Sequence, residues 1–147
     1  MAKINIEMST YEIWRDMNNT NGEGALSNAK AIVHIVIPDI FLDDILTTAF
    51  EGGSNYWLDS VSIQNKPDTP HKNLFNSEII SMGGALYCDS EDNGRAVLTK
   101  GKLLKAVQWF IETSIEGQNN LGVLEDHDAQ DADTILQYAL FGEVVYG

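Results

Sequence analysis

An α+β fold, with a mostly antiparallel sheet and helices packed on one face, is what this sequence predicts. Three observations carry the prediction. Asn93-Gly94 sits between two short apolar runs, which is a strong hairpin signal. Apolar residues recur at helical spacing on either side of that hairpin. Two helical segments then follow one another to the end of the chain, a run that fits α+β better than alternating β-α units.

The elements follow in chain order. Residues 9–18 read as a short helix, because Ser9 with Glu12 three positions later makes a capping box. Residues 18–28 are rich in Asn, Gly and Ser and read as a loop. Residues 31–37, AIVHIVI, are so dense in β-branched side chains that a strand buried on both faces is expected. Pro38 lacks an N–H and ends the ladder, and Asp39 is placed to cap a helix over residues 40–50. On that helix Ile40, Phe41, Ile45, Leu46, Ala49 and Phe50 share the apolar side, while Asp43, Asp44, Thr47 and Thr48 turn to water. Gly52 and Gly53 stop it.

Residues 56–63 then read as a strand, residues 64–73 with Pro67 and Pro70 as a loop, and residues 74–82 as a short helix ending at Gly83-Gly84. Residues 85–89 and 95–99 are the hairpin strands. Thr99 or Gly101 opens the clearest helix, striped by Leu103, Leu104, Val107, Phe110 and Ile111 and broken at residues 117–121. A last helix runs from Asp131 or Asp133 to Phe141, with Ile135, Leu136, Ala139 and Leu140 inward. The ending EVVYG is expected either to add a strand to the domain's own sheet or to pack across a subunit boundary.

Length and composition set the outer limits. The chain has 147 residues, of which 44% are hydrophobic, enough for one packed core and one domain over residues 1–147, with residues 1–30 more peripheral. No apolar run approaches the length of a membrane span, and the first ten residues lack the apolar stretch of a secretory signal. One cysteine, Cys88, precludes an internal disulfide and a multi-cysteine zinc site, so a reducing cytoplasm is expected. Twenty-two acids oppose nine bases, for a net charge of −13. Such a field repels phosphate backbones, and direct nucleic-acid binding is not expected. No Lys or Arg follows Lys105, and none lies between Lys30 and Lys66.

Four segments carry a resemblance: DDILTTAFEGGSNYW, ISMGGALYCD, LTKGKLLKAVQWFIE and DADTILQYALFGEVVYG. Together they resemble a family of small proteins carried by bacteriophages, prophages and bacteria, over most of the chain from Ile32 onward. EGGSNYW and ILQYALFGEVVYG are the most specific parts. Members more often carry Ile where this chain has Ser54, and they have a shorter stretch in place of the Pro67–Pro70 loop. The resemblance implies a phage or mobile-element origin, hence a bacterial host cytoplasm, and it implies no reaction. A weaker likeness to antirestriction proteins rests on Gly52-Gly53-Ser54-Asn55-Tyr56-Trp57 and Met82-Gly83-Gly84.

Two clusters stand out as candidate sites. In the first, Glu51, Asn55, Tyr56 and Trp57 surround a pair of glycines, and two large aromatics there suit stacking on a base or clamping a partner side chain. Arg95 and Lys100, in the densest basic segment, would hold a phosphate. A plain helix stop with both aromatics in the core is the competing reading. In the second, Glu125, Asp126, Asp128, Asp131 and Asp133 form an acidic stretch suited to a basic partner or to capping the last helix. It does not fit a calcium-binding EF-hand, because Asp131 stands where that loop needs Gly and Gln137 where it needs Glu. His34 reads as a sheet residue and Cys88 as a small hydrophobe. No phosphate loop, catalytic triad or other nucleophile signature is present, and no cofactor is expected.

These features support a non-enzymatic binding protein of a mobile element, acting on a host protein as a counter-defence inhibitor. Two alternatives are a module that sequesters a nucleotide-like ligand and, more remotely, a metal-dependent hydrolase using the acidic stretch. The apolar last helix and tail, with Trp109 as an added anchor, also suit a homodimer contact.

Overall fold

The structure, a computed structural model, describes residues 2–9, 30–113 and 120–147. The expected helix over 9–18 lies outside the described residues apart from Ser9, and so does most of the expected break at 117–121. The described elements are β1 (Ala2–Ser9), β2 (Lys30–Ile37), α1 (Asp39–Thr48), a π turn (Ala49–Gly53), β3 (Ser60–Asn65), α2 (Asn76–Ser81), β4 (Ala85–Ser90), β5 (Gly94–Thr99), α3 (Lys100–Glu112), a 3-10 turn (Leu121–Leu124) and α4 (Ala129–Phe141). All strand pairing is antiparallel, in a two-stranded ribbon β1-β2 and a three-stranded sheet ordered β3-β4-β5. The fold is α+β, as the sequence predicts. No helix among the described residues is long and apolar enough to cross a membrane.

β1 is an element the sequence reading omitted. Its signal was present: Ile4 and Ile6 alternate with Lys3 and Asn5 and are buried, the period-two pattern of a half-covered strand. β2 is covered on one face only, which corrects the expectation of burial on both. Ile37 is buried, Val33 and Ile35 are half-buried, and Ile32, His34 and Val36 face outward. A two-stranded ribbon has one face to give to the core, and α3 packs against the ribbon at β1.

Pro38, rather than Asp39, stands at the N-cap of α1. Its ring fixes φ at −69°, and its carbonyl accepts from the Phe41 amide at 3.1 Å. The buried side of α1 is Phe41, Leu42, Ile45 and Leu46; Ile40, expected inside, is exposed. The hairpin forms as expected, with Ser90 paired to Gly94 and Gly94 at φ 68° in the left-handed region. On the resulting sheet Leu86, Cys88 and Leu98 face the core. On the other side Tyr87, Asp89 and Arg95 meet water, with Arg95 lying 4.4 Å over the Tyr87 ring.

Thr99 caps α3 by accepting from the Lys102 amide at 3.3 Å. Asp128 and Asp131 cap α4 reciprocally: the Asp131 amide donates to Asp128 Oδ1 at 2.8 Å and the Asp128 amide to Asp131 Oδ2 at 3.3 Å. This starts α4 at Ala129, ahead of the expected Asp131 or Asp133. The helices join one core through Leu103, Val107, Ile111, Ile135, Leu136 and Ala139.

Cys88 sits in that core at 2% exposure, and burial pushes its thiol up to about 12, with Asp89 adding to the rise. The folded chain therefore holds this proton more tightly than the unfolded one. That stabilisation is complete below about pH 9 and is lost as pH climbs toward 12. Two results are expected. A thiol reagent at pH 8 should label Cys88 only as fast as the chain unfolds, and the urea midpoint should fall above pH 9. Prompt labelling of the native chain would contradict the burial.

Candidate functional site

The two segments that the sequence marks as most specific meet in space. The π turn ends the first helix with a wide loop in which the Ser54 amide donates to the Ala49 carbonyl at 2.9 Å. Gly53 is required here by closeness. A Cβ at this position would stand 2.5 Å from the Ala129 carbonyl oxygen, so any side chain would push the turn off the start of α4. Residues 54–58 then turn back, with the Trp57 and Leu58 amides both donating to the Ser54 carbonyl. Tyr56 and Trp57 thus belong to a turn, and the strand begins only at Ser60, a correction to the strand expected over 56–63. A turn places neighbouring aromatics on different sides: Trp57 is 6% exposed and Tyr56 is 60% exposed.

Asp133 is the point on which both segments converge. Its carboxylate is buried and accepts four hydrogen bonds from side chains. Oδ1 receives Ser54 Oγ–H and Trp57 Nε1–H, each at 2.7 Å. Oδ2 receives the Tyr56 hydroxyl at 2.7 Å and Gln137 Nε2 at 2.9 Å. These donors offset the loss of water around a buried charge. Burial of its hydroxyl end, then the Asp133 carboxylate, pushes Tyr56 up to about 12. Ser54, where the resembled family more often has Ile, is fully buried and supplies a donor that Ile lacks.

Gln137 extends the network to the chain end. Its Oε1 accepts from the Val145 amide at 2.9 Å and the Tyr146 amide at 2.7 Å, while Nε2 lies 3.1 Å from the Tyr146 carbonyl oxygen. The Tyr146 ring stacks on Trp57, with centroids 5.0 Å apart and planes 6° from parallel. Its hydroxyl meets Asn93 at the hairpin tip. The tail is therefore held by a side chain of α4 and forms no strand, which corrects one of its two expected arrangements. Trp109, expected as an outward anchor, stacks on Tyr138 at 4.0 Å between α3 and α4. Of the tail's apolar residues, Val144 and Val145 stay exposed.

The other candidate residues are placed apart. Arg95 is bound to Asp89 by two hydrogen bonds, of 2.8 and 3.1 Å. Lys100 Nζ donates to Asp39 Oδ1 at 3.0 Å and to the Ser81 carbonyl at 2.8 Å, tying α3 to α1 and α2. A groove runs beside Tyr56, between Gly52-Gly53 and residues 129–134 of α4, with Val144 and Tyr146 on its far wall. No lysine or arginine lines it. Arg95 and Lys100, expected to hold a phosphate, thus lie outside the lining of the groove beside Tyr56. Glu51 and Asn55 face outward at the turn.

The acidic stretch divides in two. Asp133 is buried and Asp131 is half-buried in the helix cap, so neither belongs to an open face, contrary to expectation. Glu125, Asp126 and Asp128 are exposed. His127, between them, lies 3.3 Å from Thr48 Oγ1 and edge-on to Phe41, which pins this loop to α1. Asp44 is exposed on α1, while Glu51 lines a separate groove with Thr47, Phe50 and residues 75–77. Among the described residues no group of three or more His, Cys, Asp or Glu is placed to hold a metal ion.

Sequence reading missed Gln137 and Tyr146. The available signal was the polar pair Asp133 and Gln137, four residues apart and hence on one side of the helix, beside Ile135, Leu136 and Ala139. Comparison with family models, curated proteins and solved structures finds no match to this chain.

Proposed function

We propose that this chain is a non-catalytic binding protein that recognises a basic surface on a host protein, of the kind that ordinarily holds a nucleic-acid backbone. In a phage or mobile-element setting, within a bacterial cytoplasm, such binding acts as counter-defence by occupying that surface. The observation that supports this most is the run of exposed acids Glu125, Asp126 and Asp128 in the loop that His127 pins to α1, in a chain of net charge −13. That loop carries no Lys or Arg to offset them. Opposed potentials of this kind speed encounter and set register, and they weaken with salt.

The test is affinity capture from host lysate with the wild-type chain and with Glu51→Lys/Glu125→Lys/Asp126→Lys. The expected result is a basic protein retained by wild type, released as salt is raised, and bound at least tenfold more weakly by the variant. Retention of the same proteins by both chains would overturn the reading. So would recovery of no partner together with turnover of a small molecule.

A further inference from the structure

β2 is the most β-branched run in the chain, yet it stands at the edge of a two-stranded ribbon. Among the described residues its side opposite β1 is paired with nothing. Ile32 is 67% exposed and Val36 45%, with His34 exposed between them, while Val33 and Ile35 on the opposite face are only half-buried. Apolar residues on both faces of a strand suit cover over both faces.

Edge strands are normally guarded against pairing by charge, proline, bulges or a covering group. The other edges here carry such guards. Lys102 Nζ donates to the Val97 carbonyl of β5 at 2.7 Å. β3 shifts register between Ile63 and Asn65. β1 carries the exposed Lys3. β2 has them only at its ends, Lys30 and the following Pro38: its ladder with β1 is regular over eight pairs, and residues 31–37 contain no Asp, Glu, Lys, Arg or Pro. In a molecule of net charge −13, this is a stretch along which two copies approach without opposing like charges.

We infer that β2 pairs antiparallel with β2 of a second copy about a two-fold axis at His34, giving a continuous four-stranded sheet β1-β2-β2-β1. The strand is self-complementary in that register. Ile32 falls opposite the partner's Val36 on the outer face, and Val33 opposite the partner's Ile35 on the inner face. Each exposed apolar side chain thereby gains a cross-strand neighbour, and the unpaired amides and carbonyls of both edges are satisfied. The contact is isologous, as a two-fold requires. One strand edge is a modest interface, so association belongs in the micromolar range, and higher salt tightens it by screening the two charged bodies.

A cysteine at the axis tests this directly. Residues facing each other across an antiparallel pair have Cα atoms about 4.5–5.5 Å apart, within disulfide reach. Cys88 is buried and does not compete. His34→Cys is expected to form a disulfide-linked dimer on mild oxidation. Asn5→Cys, one strand farther from the axis and three strand spacings of about 4.8 Å from its counterpart, is expected not to. Ile32→Lys in the His34→Cys background should abolish the cross-link without moving the melting temperature, because Ile32 is exposed in the single chain. Light scattering of the unmodified chain at high micromolar concentration should show a dimer. A monomer in both low and moderate salt overturns the inference. A dimer in which His34→Cys fails to cross-link, or cross-links no better than Asn5→Cys, overturns it equally.

Discussion

Asp133→Ala is expected to cost about 3–5 kcal/mol, enough to unfold a domain of ordinary stability at moderate temperature. The loss does not come from the carboxylate alone. Ser54, Tyr56, Trp57 and Gln137 all donate to it, and Ser54, Trp57 and Gln137 are themselves buried. Alanine removes the acceptor those donors share, and each buried group left unsatisfied carries a penalty of about 1–3 kcal/mol. Relaxation around the site recovers part of that sum. Asp133→Asn keeps the volume but turns an amide N–H2 toward groups that are also donors, so it is not a rescue. Urea denaturation of the two variants beside wild type checks this. A loss under about 1 kcal/mol for Asp133→Ala would mean that the network is not what holds the π turn to α4.

Ending the chain at Gly142 is expected to cost about 3 kcal/mol and to shift tryptophan emission to longer wavelength. Of the four residues after Glu143, Tyr146 packs against the core, two amides are bonded to Gln137 and one ring covers Trp57. Each hydrogen bond contributes about 1 kcal/mol, and a stacked aromatic pair adds about 0.5–1.5 kcal/mol beyond its buried area. Removing Tyr146 also opens Trp57 to water, since the Tyr146 ring lies flat against it. Identical denaturation curves and emission for the full and shortened chains would show that the tail only rests on the surface.

These two expectations mark where sequence reasoning reached and where it stopped. The hairpin, α3 and the buried side of α4 were readable because Asn93-Gly94, Thr99 and the stripe from Ile135 to Ala139 are local signals whose physics is complete within a few residues. β2 misled because β-branched density reports what a strand can bury, not what lies beside it. The 56–63 segment misled because Ser54 and Gly53 commit the chain to a turn through contacts with Asp133 and Ala129, which lie more than seventy residues away. The acidic stretch illustrates the same limit from another side. Glu125 and Asp133 are both acids of one stretch, but helix phase puts Asp133 under the π turn, while Glu125 precedes the helix and stands in water. Both prominent motifs were located by sequence. That they are two halves of one network became visible only in three dimensions.

The acids divide into those that build the fold, Asp133 above all, and those that stand exposed, such as Glu51, Glu125 and Asp126. The most direct test is the melting temperature of two variants measured side by side in the same buffer. Exposed positions away from caps and networks tolerate substitution within about 0.5 kcal/mol, and reversing charge in a strongly acidic chain relieves repulsion. Glu51→Lys/Glu125→Lys/Asp126→Lys is therefore expected to melt at the wild-type temperature or above it, while Asp133→Ala melts well below it. A triple variant that loses as much stability as Asp133→Ala, or an Asp133→Ala chain that melts with wild type, would contradict that division.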